Sequence, residues 1–132
     1  MLVILYTSLF IYMVFFSICV APVINKTLDR KNSSKLLRKI FPKNFAFGAL
    51  LALGTIFVSV YYQAYFSLVI SIIIFSFFII NLYVLVPKIN AEADKTAKLK
   101  NYSKKFKKYH LISVLIYLIQ ILISLTGILI FS

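Results

Sequence analysis

The last apolar segment of the chain, residues 109–131, carries polar side chains at a spacing that could support chemistry inside a membrane. They follow one another at intervals of three or four residues, so on a helix they occupy a sector of about 100°. The members of this polar stripe are His110, Ser113, Tyr117, Gln120 and Ser124. Two interpretations stay open: the stripe packs against other helices, or it lines a polar cleft with His110 and Ser113 at its mouth.

His110 is the only histidine, and its charge changes near neutral pH. An imidazole can ligate a metal or a haem iron, but such sites usually need further ligands. The other candidates are Cys19, Met13 and Met1, and their spacing is not that of a metal site. We therefore predict no cofactor, with haem or copper held by His110 as the alternative.

No catalytic signature accompanies the stripe. The sequence has no paired carboxylates, no Gly-rich phosphate loop and no nucleophile elbow. The apolar segments also lack Asp, Glu, Lys and Arg, the groups on which proton relays depend. We predict no catalytic residues, and a protein that is more plausibly not an enzyme.

Small and hydroxyl side chains form a second stripe, on the apolar segment of residues 45–62. They are spaced by three or four residues, and such residues let helices approach closely in lipid. The stripe predicted for helix packing consists of Gly48, Ala52, Thr55 and Ser59.

Composition and charge show which elements must position these residues. The chain has 132 residues, of which 62% are apolar, and yet carries a net charge of +12. A soluble domain of this size cannot bury so much apolar surface, and a disordered chain would be less hydrophobic. All charges lie in residues 26–43, with seven basic and one acidic (+6), and in residues 88–108, with eight basic and two acidic (+6).

The three uncharged blocks predict four membrane crossings. About 20 helical residues cross a hydrocarbon core about 30 Å thick, so the central block of residues 44–87 must fold back as a hairpin. Its tip is predicted in the aromatic segment 61–66. The predicted helices cover residues 2–24, 45–62, 66–86 and 109–131.

The basic segments also set an orientation, because cytoplasmic loops are rich in Lys and Arg. Two crossings separate the segments, so both are predicted on the cytoplasmic side and both termini on the opposite, periplasmic side. Residues 1–132 are expected to form one domain: an all-α, antiparallel, up-down bundle of four transmembrane helices in a bacterial inner membrane.

The basic loops 26–43 and 88–108 are expected to contact anionic lipid. In the first, a short amphipathic helix is predicted to lie in the headgroup plane and to end at Pro42. Nucleic acid is not expected as a partner, whereas a homo-oligomer or a membrane complex stays open. The predicted lipid contacts are Arg30, Lys31, Lys35, Arg38, Lys39, Lys104, Lys105, Lys107 and Lys108.

Short motifs in order along the chain resemble the transmembrane protein 205-like family, small four-helix membrane proteins whose domain is largely of unknown function. The motifs are Ala21-Pro22-Val23, Phe41-Pro42, Pro87, and Phe106 with His110 and Ser113. The resemblance implies a polytopic protein and, for some members, an association with metal-drug resistance. It also implies distant similarity to copper-resistance membrane proteins and to bacterial protoporphyrinogen oxidase.

The resulting prediction is a small, non-enzymatic membrane protein that acts through lipid or partner contacts, or in small-solute or metal tolerance. The alternative is a haem- or copper-binding membrane protein with redox activity, which would use His110 as a ligand.

Overall fold

The computed structural model describes residues 1–96 and 102–132, and every regular element in these two ranges is helical. The four long helices found there are α1 (Leu2–Thr27), α2 (Arg30–Tyr61), α3 (Tyr65–Lys95) and α4 (Lys104–Phe131). Each is long and apolar enough to cross a bilayer. This confirms the predicted fold class, an all-α bundle of four transmembrane helices.

A tight turn connects α2 to α3 inside the segment 61–66, where the sequence predicts the hairpin tip. Gln63 adopts a φ of 54°. Its N–H bonds to the Val60 carbonyl at 3.1 Å, and the N–H of Ala64 bonds to the Ser59 carbonyl at 2.9 Å. These two bonds form a Schellman motif, which satisfies the last carbonyls of a helix without needing a glycine at this position.

The first basic segment, residues 26–43, is largely helical and is not the loop that the sequence predicts. α2 begins at Arg30 rather than near residue 45, and it continues through Pro42. The prediction of a separate short helix that ends at Pro42 is therefore wrong.

Contacts with α3 explain why this basic part of α2 stays in line with the bundle. Arg38 donates to the Asn90 carbonyl at 3.1 Å and forms an ion pair with Asp94. Leu37 and Phe41, two apolar side chains of this segment, line a cavity inside the protein. A sequence pattern shows that a face is apolar but does not show which partner covers it.

The second basic segment, residues 88–108, is also shorter as a loop than the sequence predicts. α3 continues to Lys95, and α4 begins at Lys104. The Ser103 hydroxyl caps α4 by accepting a bond at 3.2 Å from the backbone N–H three residues later. Lysine is a good helix former, so a lysine-rich stretch need not be a loop. The central part of the predicted loop, residues 97–101, lies outside the described residues.

Two π-helical segments widen α1 and α3 near the basic end of the bundle. They are Phe16–Val20 and Asn81–Leu85, and each comes just before a proline, Pro22 or Pro87. Proline lacks an N–H and its ring collides with the preceding helical turn. A π segment bonds five residues back, so it changes the register of the backbone just where the proline interrupts it.

The centre of the bundle is apolar and tightly packed. α1 buries Tyr6, Leu9 and Met13 completely, and α3 buries Ile74 and Phe78 against them. Because lipid tails are as apolar as these side chains, close packing and hydrogen bonds, rather than the hydrophobic effect, must hold the helices together.

α1 and α4 are neighbours along only half of their length. The part of α1 at Leu2–Phe15 packs against α4, whereas the part after Phe15 does not approach it. In the packed half, the rings of Tyr6 and Phe131 stack with centroids 5.8 Å apart. The separation begins where the π segment of α1 begins, and it leaves a cleft between the two helices at the basic end.

Candidate functional site

A cavity of about 650 Å³ lies in the basic half of the bundle, and all four helices contribute to its wall. Asn44 and Tyr117 line its deep end, while Asn25, Arg38 and Asn90 line its outer end. Its volume is typical of small-molecule sites, and its lining combines apolar surface with a few polar groups, as such sites do.

One wall of the cavity is a column of stacked planar side chains at the start of α4. The guanidinium of Arg30 lies 3.9 Å from the centroid of the Tyr102 ring. The Tyr102 and Phe106 ring centroids are 4.0 Å apart, and those of Phe106 and His110 are 6.0 Å apart. A spacing of four residues on α4 places the Phe106 and His110 rings on one face, and Tyr102, two residues before the helix begins, stacks on Phe106. This aromatic column offers a flat apolar surface that ends in a cation and an imidazole.

A hydrogen-bonded cluster closes the deep end of the cavity. The Asn44 side-chain amide donates to the Tyr117 hydroxyl at 3.3 Å, and the Tyr12 hydroxyl donates to the Asn44 carbonyl at 3.4 Å. Asn44 and Tyr117 are both buried. The sequence patterns did not indicate Asn44 or Tyr12. For Asn44, the sequence does contain a signal, because an amide side chain stands at the first position of the uncharged block of residues 44–87.

The predicted polar stripe of α4 divides into two parts in the structure. His110, Ser113 and Tyr117 line the cavity, whereas Gln120 and Ser124 do not. His110 is exposed and the other four are buried. The structure therefore brings only the three residues nearest the basic end to one cavity.

Two polar contacts join α3 to α4, two helical turns apart. The Ser113 hydroxyl donates to Asn81 Oδ1 at 2.6 Å, and Gln120 Nε2 donates to the Ile74 carbonyl at 2.9 Å. Seven residues separate the contacts on each helix, which is about 10 Å along the axis. Within the described residues, Asn81 Nδ2 and Gln120 Oε1 have no hydrogen-bond partner. These bonds fix the register of two antiparallel helices.

The stripe predicted for helix packing on α2 is buried throughout, and its members are Gly48, Ala52, Thr55 and Ser59. A Cβ atom on Gly48 would overlap the Tyr12 hydroxyl and the Phe78 ring. At the other end of the stripe, the hydroxyl oxygens of Ser59 and Ser67 are 2.7 Å apart. The stripe is the surface by which α2 meets α3 and α1.

Tyr6 of α1 contacts α3 diagonally across the bundle, in the half away from the cavity. Its hydroxyl lies 2.8 Å from Ser67 Oγ and 3.0 Å from Ser71 Oγ. Gly127 of α4 leaves room for the ring, since a Cβ there would lie 2.6 Å from Tyr6. Sequence analysis missed Tyr6, although Tyr6, Leu9 and Met13 recur at helical spacing on α1.

Residues 4–98 match a protein-family model described as a domain of unknown function (DUF4149). The chain belongs to this family. The DUF4149 match spans α2, α3 and nearly all of α1, so it includes three walls of the cavity and excludes α4 with its aromatic column. No curated protein matches the chain, and no solved structure does. The resemblance to the transmembrane protein 205-like family stays a prediction.

The predicted lipid-contact residues of this DUF4149 protein form two groups. Arg30 and Arg38 make contacts within the protein, and Arg30 also donates to the Thr96 carbonyl at 3.3 Å. The lysines are exposed, and they are Lys31, Lys35, Lys39, Lys104, Lys105, Lys107 and Lys108. Exposed lysines near the outer end of the cavity create a positive potential that attracts anions.

Among the described residues, no group of three or more His, Cys, Asp or Glu side chains could hold a metal ion. Cys19, one of the other candidate ligands, is exposed and does not line the cavity. Met13 is buried in the packed core, and Met1 lies at the opposite end of α1. The described part of the cavity therefore presents His110 without the other candidate ligands.

Proposed function

We propose that this DUF4149 protein binds an anionic glycerophospholipid in the cavity at its basic end. The observation that carries this proposal is a cavity of about 650 Å³ with apolar walls, set beside two sequence segments that are rich in lysine. Among the described residues that line the cavity, Arg38 is the one with a permanently charged basic side chain. An acyl chain suits the apolar wall and the aromatic column, and a phosphate suits the guanidinium.

The wider proposal is a non-enzymatic, multi-pass protein of a bacterial inner membrane, with both termini periplasmic. The excess of Lys and Arg in the two connections supports this orientation. A reporter fused after Ser132 should be active only outside the cytoplasm, and one inserted in residues 92–104 only inside it. The reverse pattern would contradict the orientation.

Lipid binding can be tested by native mass spectrometry of protein released from nanodiscs that contain equal amounts of phosphatidylglycerol and phosphatidylcholine. One phosphatidylglycerol should be retained preferentially. Arg38→Gln should weaken this preference about tenfold, because it removes a hydrogen bond to a charged group, worth about 1.5 kcal/mol or more. Lys39→Gln is the matched control, because Lys39 is exposed and does not line the cavity.

Asp94→Asn separates lipid binding from a structural role of Arg38. Both Arg38→Gln and Asp94→Asn break the same ion pair. If the pair only supports the fold, both substitutions act in the same direction. If Arg38 binds phosphate, Asp94→Asn removes a competing carboxylate and should raise phosphatidylglycerol retention, whereas Arg38→Gln lowers it. Equal retention of the two lipids by the unmodified protein would refute the proposal.

The alternative is a haem- or copper-binding protein, and its support is the exposed His110 imidazole on the cavity wall. A Soret band in the purified protein that disappears in His110→Ala would establish it. Purified protein with neither a Soret band nor stoichiometric metal would exclude it. A role as a subunit of a membrane complex would be indicated by a fixed partner that co-purifies.

A further inference from the structure

We propose that the ligand reaches the cavity sideways from the bilayer, through an opening between α1 and α4. This inference rests on the proposed function and adds the route of access, and therefore the source, of the ligand. A molecule that uses this opening comes from the leaflet on the basic side and not from water.

Polar contacts cross the outer end of the cavity and join the helices there. Ser33 of α2 donates to Asn25 of α1 at 2.8 Å. Arg38 of α2 binds the end of α3, and Arg30 of α2 lies over Tyr102, just before α4. All three contacts involve α2. The contacts therefore close the side of the cavity formed by α2, which lies opposite the gap between α1 and α4.

That gap is where the cavity meets the outer surface of the bundle. Val114 and Leu118 of α4 both line the cavity, and yet 47% and 49% of their surface is exposed. Ser17, in the π segment of α1, also lines the cavity and is exposed. An opening between α1 and α4 requires side chains of this kind, which border the cavity and are also half exposed. The backbones of α1 and α4 are separated at this level.

The opening lies at the depth of the acyl chains. Val114 is ten residues beyond the first residue of α4, which is about 15 Å along the helix axis. It belongs to residues 109–132, a block without a charged residue. An opening at this depth faces lipid on the outside, so an amphiphile can move its chain into the cavity without exposing it to water.

A pair of tryptophan substitutions tests the route. Val114 lines the cavity and Leu115 does not, although each is 47% exposed. With deuterated phosphatidylglycerol supplied in vesicles, native mass spectrometry follows the replacement of the bound unlabelled lipid. Val114→Trp should slow this exchange about tenfold, which corresponds to about 1.4 kcal/mol on a rate barrier. Leu115→Trp should exchange at the rate of the unmodified protein.

A second pair covers the case in which Val114→Trp does not fold: Leu118→Trp with Leu122→Trp as its control, since Leu122 is exposed and lies outside the cavity. Water-soluble glycerophosphoglycerol, the headgroup without acyl chains, should not compete with the bound lipid. Unchanged exchange in both cavity-lining variants, or competition by the free headgroup, would overturn the lateral route while leaving binding intact. Failure of the unmodified protein to retain phosphatidylglycerol would overturn both proposals.

Discussion

Replacing Gly48 with alanine tests whether close helix packing holds this bundle together. The added Cβ would overlap the Tyr12 hydroxyl and the Phe78 ring. Neither neighbour can move easily. Tyr12 is bonded to Asn44 and packs edge-on against Phe47 at 5.2 Å, and Phe78 is completely buried. The extra methyl group must therefore push α2 away from α1 and α3.

The magnitude follows from the chemistry of overpacking. Extra carbon atoms in a well-packed interior usually cost about 1 to 3 kcal/mol. We expect Gly48→Ala to lower the free energy of unfolding by about 2 kcal/mol, a factor of about 30 in the ratio of folded to unfolded protein. Gly54 is the matched control on the same helix, because a Cβ there would meet no atom within 4 Å. Gly54→Ala should cause no loss and can gain up to about 1 kcal/mol from helix propensity.

The assay is reversible unfolding by sodium dodecyl sulfate in mixed micelles, followed by circular dichroism and by tyrosine fluorescence. Each variant is compared with the unmodified protein at the same micelle composition. We expect a large difference in the free energy of unfolding between two chemically identical substitutions six residues apart. If Gly48→Ala is no less stable than Gly54→Ala, the close contact of α2 with Tyr12 and Phe78 is absent.

Three further changes probe the polar groups inside the bundle. Tyr6→Phe should lower the free energy of unfolding by about 1 kcal/mol, because the Tyr6 hydroxyl bonds to two serines and such bonds average about 0.6 kcal/mol in membranes. An unchanged free energy of unfolding would show that these bonds do not stabilise the bundle. Gln120→Leu removes a bond of about 0.6 kcal/mol to the Ile74 carbonyl together with a buried oxygen that has no partner among the described residues. The two effects oppose each other, so the free energy of unfolding should change by less than about 1 kcal/mol, and a loss above about 2 kcal/mol would show that the oxygen has a partner. A cysteine at Gln120 should react more slowly with a lipid-phase thiol probe than one at Leu118, and equal rates would place Gln120 on the lipid face.

The number of crossings could be predicted from charge and length, and the hairpin tip from the aromatic residues of the central block. Runs without charge are long only where lipid surrounds the chain, and the segment 61–66 is aromatic as interfacial turns often are. The helix ends at the basic side could not be predicted in this way. α2 extends back to Arg30 because Arg38 and Leu37 find partners on other helices, and a charge count contains no information about partners.

The candidate site illustrates the same limit at the level of single residues. Helical periodicity selects one face of α4, but it cannot show where along that face a cavity lies. Among the polar residues of the stripe, Tyr117 lines the cavity and Gln120 does not. The cavity forms where α1 separates from α4 after Phe15, as the backbone of α1 changes to a π segment before Pro22. Beyond Tyr117 the polar side chains bond to α3 or to their own helix and set the register. His110, Ser113 and Tyr117 line the cavity, although Ser113 also bonds to Asn81 of α3, so a ligand can reach only the part of the stripe nearest the basic end.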